Sequence, residues 1–203
     1  MRSRLALALV ALVPGLAPAQ DATSPARVET VERVVAVVDE RPLLLSDVRT
    51  LGAVRGLGEE AAREAAIDER LMHAEAARLP QAEVTPEEEE QAVLRLLAGR
   101  PALRDTVPEP ELRRLMRRQI GIFKYVEFRF RPQLRVGDDE VRKAWEEEQA
   151  GRPAGPAFED EQEKLRARLE RRALDERIEA WVKELRSRSD VRYVAPPPPP
   201  RAP

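Results

Sequence analysis

One short stretch near the front of the chain, Arg33 to Val48 (RVVAVVDERPLLLSDV), limits the available folds more than any other. Val31 to Val38 is rich in β-branched residues and reads as a strand. Asp39-Glu40-Arg41-Pro42 follows as a turn signal, and Leu43 to Leu45 as a short return strand. A lone two-stranded hairpin is marginally stable in water. The hairpin therefore needs a further strand, and Val191-Arg192-Tyr193-Val194 at the far end supplies the only other convincing strand pattern. Pairing it with Val34 to Val38 gives a three-stranded sheet and sends the last helix back along the first ones. The expected fold is mainly α: about six helices, with a small β-sheet made from an N-terminal hairpin and a C-terminal strand.

The segments between those strands have helical spacing. Ser46 is the expected N-cap of a first helix carrying Val48, Leu51, Val54 and Leu57, which Gly56 and Gly58 end. A second helix runs from Glu59 to Leu79, with Ile67, Leu71, Ala74 and Leu79 on one face and alanines allowing close approach. Thr85-Pro86-Glu87-Glu88 has the form of a capping box and opens a third helix, which ends near Gly99. A loop through Pro101, Pro108 and Pro110 leads to a fourth, from about Glu111 to Phe130. Its apolar stripe is Leu112, Leu115, Met116, Ile120, Phe123, Val126 and Phe130, with Ile122, Tyr125 and Phe128 off that stripe. A short helix, Asp138 to Gln149, precedes a linker from Gly151 to Ala157 (GRPAGPA). The last helix, about Glu159 to Ser187, holds Leu165, Leu169, Ala173, Ile178, Trp181 and Leu185 along one apolar face.

The two ends differ in kind. Arg2 and Arg4, then Leu5 to Leu16, then Ala17-Pro18-Ala19 have the form of a signal peptide cleaved after Ala19. Residues 20–30 form a polar lead-in, 31–194 the folded domain, and 195–203 a proline-rich tail. The apolar run of the leader is shorter than the roughly 20 residues a spanning helix needs, so no stable membrane insertion is expected. The chain has no cysteine, which excludes disulfides, thiolate metal sites and a cysteine-linked lipid anchor. An exported, cysteine-free chain of this kind fits the periplasm or the outside of the cell, and the periplasm is the expected location. The formal net charge is −2, with acidic and basic residues interspersed, and this gives no electrostatic case for nucleic acid.

Catalytic constellations are not apparent. His73 is the only histidine, so neither a histidine pair nor a base with a partner can be assembled around it. Glu87 to Glu90 complements a helix dipole and lacks converging ligands for a cation. No glycine-rich phosphate loop or nucleophile motif is found. No catalytic residue, metal or cofactor is therefore expected.

The order of elements carries a resemblance. The phrase VVAVVDERPLLLSDV capped into a helix, then AIDERLMHAEAARL, resembles the N-terminal domain of SurA-type periplasmic chaperones. The phrase FEDEQEKLRARLERRALDERIEAWVKELRSRSDVRYV resembles the closing helix and strand of that family, with Phe158, Leu169, Trp181 and Leu185 in familiar places. The resemblance covers about Val31 to Gln149 and Ala157 to Val194. It implies ATP-independent binding of unfolded exported polypeptides, outer-membrane protein precursors above all. Relatives usually carry parvulin prolyl-isomerase modules before the closing helix. Here that interval is the GRPAGPA linker, so isomerase activity is not carried over.

Met72, Met116, Ile122, Phe123, Tyr125, Phe128 and Phe130 are the candidate client-binding residues, because methionine and aromatic side chains suit promiscuous contact. Most of an apolar stripe packs into a core, so Ile122, Tyr125 and Phe128, which leave the stripe, are the better candidates. Two other classes stand beside this reading: an assembly protein docking one fixed partner, and a peptidyl-prolyl isomerase.

Overall fold

The computed structural model describes residues 32–150 and 157–194. The expected leader, lead-in, linker segment 151–156 and proline-rich tail lie outside the described residues. Strand β1 (Val34–Val38) is central in a sheet of order β2-β1-β3, flanked by β2 (Arg41–Leu44) and β3 (Val191–Tyr193). Both pairings are antiparallel. The expected clasp of chain ends is therefore present, with Ala36 opposite Tyr193, Val37 opposite Arg192 and Val38 opposite Val191.

The hairpin turn is tighter than its sequence suggests. It is two residues long, Asp39 and Glu40, both at positive φ (46° and 66°). That is the backbone whose twist matches two flanking strands. Arg41 and Pro42 thus belong to β2, where Pro42 sits on an edge strand that tolerates its missing N–H. The turn is also latched to the other end of the chain. Asp39 N–H donates to the Asp190 carbonyl and Asp190 N–H donates to the Asp39 carboxylate, both at 2.9 Å. Val194 N–H donates to the Val35 carbonyl at 3.0 Å, which closes the other end of the β1–β3 ladder.

This latch sets an expected result. Ending the chain after Asp190 strips one edge of β1 and exposes Ala36, which is fully buried. Thermal unfolding followed by helical circular dichroism should shift downward by a few degrees, because each 1 kcal/mol lowers the midpoint of a domain this size by roughly 2–4 °C. An unshifted transition would show that the sheet and helices are not one cooperative unit.

Seven helices follow among the described residues: α1 (Leu45–Arg55), α2 (Glu59–Ala76), α3 (Pro86–Gly99), α4 (Leu103–Thr106), α5 (Glu109–Arg129), α6 (Asp138–Gln149) and α7 (Phe158–Arg188). Ser46 is not the cap of α1. The helix starts one residue earlier, and the Ser46 N–H donates to the carboxylate of Glu32 at 3.2 Å, as does Arg33 N–H at 3.1 Å. Slight burial pushes the Glu32 carboxyl up, but the hydrogen bonds from Ser46 and Arg33 outweigh it and hold the group below its usual range. Gly56 ends α1 at φ 68°, in the left-handed conformation that glycine takes without a Cβ penalty. Helix α2 stops at Ala76, short of Leu79, and a single 3-10 turn at Pro80–Ala82 follows. The capping box on α3 forms as its sequence predicts, with Glu88 N–H donating to Thr85 Oγ1 and Thr85 N–H donating to the Glu88 carboxylate. The proline-rich loop holds the four-residue α4, which spacing alone does not reveal, and α5 begins two residues early, with Pro108 as its cap.

The apolar residues form three clusters. The main one joins Val35, Ala36 and Val38 of the sheet to side chains from four helices: Val48 and Leu51 of α1, Ile67 and Leu71 of α2, Leu115 and Val126 of α5, and Trp181 and Leu185 of α7. A second lies under α3 and α4, with Val93, Leu97, Leu103, Val107 and Leu112. The third is small and joins Val141 of α6 to Phe158 and Leu165 of α7. The long apolar face of α7 thus serves two cores in succession, not one. Arg186 fixes its C-terminal half to α2 through the carboxylates of Asp68 and Glu64, which raise the guanidinium's affinity for its proton.

Candidate functional site

Helix α5 decides which side chains remain available for binding. Its buried face is Leu112, Leu115, Arg118, Gly121 and Val126. Relative to the stripe drawn through Phe123 and Ile120, that face is turned by roughly a quarter of the helix circumference, at 3.6 residues per turn. The turn has two physical causes. One is charge. Arg118 reaches Glu69 of α2 at 2.5 Å and Asp47 of α1 at 3.3 Å. Arg70 also holds Asp47, at 2.5 Å, and the Gln119 amide donates to Glu69. Arg118, Asp47 and Glu69 are buried, Glu69 to 2% exposure, and each has the opposite charge that burial demands. The other cause is space. A Cβ on Gly121 would stand 3.4 Å from the Ala82 carbonyl oxygen, so the bare backbone of α5 lies close to the 3-10 turn.

The rotation re-sorts the candidate residues. Ile122 and Tyr125, two of the three favoured residues off the stripe, pack partly buried against the main core, and so do Met72 and Met116. Phe130 is buried. Tyr125 stacks on Trp181 with centroids 4.8 Å apart, and Phe130 meets both edge-on at 5.9 and 5.3 Å. Burial raises the Tyr125 hydroxyl pKa, and the nearby Glu75 adds to it. Phe123, placed on the core stripe by spacing, is instead 61% exposed, and Phe128 is 53% exposed. They are two of the chain's four phenylalanines. At 100° per residue they border the solvent face of α5 on its two sides, and Phe128 falls about 20° from Gly121.

A groove of about 410 Å³ lies between the end of α2 and α5, lined by Gly121 but by neither phenylalanine. Its wall is the end of α2 and the turn after it, with His73, Ala77, Leu79, Pro80, Ala82 and Val84, facing Gly121 and Arg117 of α5. The wall is fixed in place. Lys124 donates to the Glu83 carbonyl and the Glu88 carboxylate, each at 2.6 Å. Arg117 reaches the buried Glu89 at 2.6 Å. The lining is a mixture of methyl groups, a proline ring and charged rims, and it has the form to seat apolar side chains of an extended segment.

His73 sits on the groove wall, half-buried. Desolvation, then the positive charges of Arg118, Arg70 and Arg41, hold its imidazole below the usual 6.5. Spacing alone makes it a bystander; its place on the wall comes from packing between helices. The lowered value carries a sign for stability. The unfolded chain takes up a proton near pH 6.5 and the folded chain does not, so stability is complete above 6.5 and falls as pH drops through it. Carboxylates held low, Glu32 and Glu88, act only below about 4.5. Urea midpoints should therefore decline between about pH 7 and pH 5, and His73→Gln should flatten that decline. An equal slope in the variant would remove His73 as its cause.

Among the described residues no cluster of histidine and carboxylate side chains has the arrangement to hold a metal ion, and no helix is long and apolar enough to cross a membrane. No protein-family model matches the sequence, and no curated protein matches it. The likeness to SurA-type chaperones rests on the phrases quoted from the sequence.

Proposed function

We propose that the protein is an ATP-independent chaperone of exported polypeptides, acting in the periplasm and holding unfolded outer-membrane protein precursors. The observation that carries this reading is the placement of half the phenylalanines, Phe123 and Phe128, in solvent on a helix whose core face is complete without them. Exposed phenyl rings that the core does not use are free to cover apolar side chains of an unfolded segment. The groove beside Gly121 adds an apolar seat for an extended segment. Charged residues make up 35% of the chain, with both signs mixed, which suits a complex that must stay soluble while covering apolar client surface. Release follows when the client folds and withdraws its apolar residues. The clients themselves come from the family resemblance.

The test is suppression of aggregation of several unrelated unfolded outer-membrane proteins. Phe123→Ser and Phe128→Ser together should weaken suppression several-fold while leaving the fold within about 0.5 kcal/mol, since both side chains are exposed. Activity on none of the substrates would overturn the reading. Capture of one partner at nanomolar affinity, with no holding activity, would favour a docking protein. Acceleration of proline-peptide isomerisation would replace both with an isomerase.

A further inference from the structure

A second cleft, of about 200 Å³, opens where the C-terminal ends of α2 and α5 meet the second half of α7. Its floor is the Tyr125, Phe130 and Trp181 cluster, and its rim carries Arg129, Arg177 and Arg188 against Glu75 and Glu184. The charges do not cancel locally. Glu75 is already engaged by Arg188 and Arg78, each at 3.1 Å. Arg129, Arg177 and Glu184 have no ion-pair partner among the described residues. That leaves two cations facing one carboxylate across an aromatic floor. Arg129 stands in the last turn of α5, where it complements the helix dipole. Arg177 is eleven residues short of the end of α7 and has no such role; its guanidinium lies 5.5 Å over the Phe130 ring, held in place by the π face.

We propose that this cleft is an oxyanion-binding site, taking one carboxylate or phosphate group between the guanidinium groups of Arg129 and Arg177. Planar, forked donors bind either oxyanion through paired hydrogen bonds. The volume admits one such group with a small substituent. Glu184 is the built-in competitor, weakening the site by like-charge repulsion. The inference is independent of the client groove, which lies on the other side of α2 from Glu75 in the helical sequence of faces and shares no lining residue with this cleft.

Trp181 in the floor supplies the readout. The chain has two tryptophans, so Trp145→Phe leaves Trp181 as the only one. In that background, sodium acetate and sodium phosphate are titrated at constant ionic strength made up with sodium chloride. Saturable change in emission with either oxyanion is expected, and the one that saturates at lower concentration identifies the ligand class. Arg177→Gln, at an exposed position where folding should be unaffected, should raise the half-saturation concentration about tenfold, the equivalent of one charged hydrogen bond. Glu184→Gln should lower it. A response that does not saturate, or half-saturation unchanged by Arg177→Gln, would overturn the proposal.

Discussion

Replacing Arg118 with leucine is expected to lower the unfolding free energy by about 3 kcal/mol, at the lower end of what removing one partner of a buried ion pair costs. The argument follows the partners left behind. Asp47 keeps Arg70 at 2.5 Å, so its charge stays compensated. Glu69 keeps only the Gln119 amide, and at 2% exposure water cannot replace the guanidinium. The cost is thus the burial of one carboxylate without a cation. This makes a double substitution informative. Arg118→Met with Glu69→Met removes the stranded charge as well as its partner, and it should recover much of the loss, because packed apolar residues often equal a buried pair. Equilibrium urea denaturation of the two variants gives the comparison. If Arg118→Leu costs less than about 1 kcal/mol, the network does not orient α5, and another cause must be found for its rotation.

That rotation also marks where the sequence stops being readable. Strands, caps and helix order follow from short-range chemistry. β-branched residues, the Thr85 capping box, Gly56 and the prolines each act on their own backbone. The pairing of β3 with β1 was legible because only one other strand pattern was available to complete the sheet. The facing of α5 was not legible in that way. An apolar count sees Phe123 as core and Arg118 as surface, because it scores side chains one at a time. The fold scores Arg118 together with Glu69, 49 positions earlier, and Gly121 together with the turn at Ala82. Both are relations between distant residues with no local signature. The same limit hid the groove, since His73 and Gly121 become neighbours only through the packing of α2 on α5. The apolar face read along α7 is buried as its spacing predicts, but periodicity records that a face is buried, not how many cores bury it.

Trp181→Ala is expected to be the more damaging of two truncations on α7, costing about 3–5 kcal/mol. At about 1.5 Å per residue α7 is roughly 46 Å long, enough to leave one core and reach another. Trp181 lies in the main cluster, stacked on Tyr125 and edge-on to Phe130, so its loss opens a cavity between α5 and α7 and loosens the helix that carries β3. Leu165 lies in the small cluster with Val141 and Phe158, and α6 finds its packing partner there in α7. Leu165→Ala removes a larger fraction of a much smaller core. Its expected effect is local: faster amide exchange in α6 and the first half of α7, with protection around Ile67 and Leu115 unchanged, because elements with few buried contacts open below the global free energy. Trp181→Ala should instead raise exchange throughout, in β1 as well as α2. Were Leu165→Ala to accelerate exchange at Ile67 as strongly as Trp181→Ala does, α7 would be transmitting one cooperative transition along its whole length, and the two clusters would be parts of a single core.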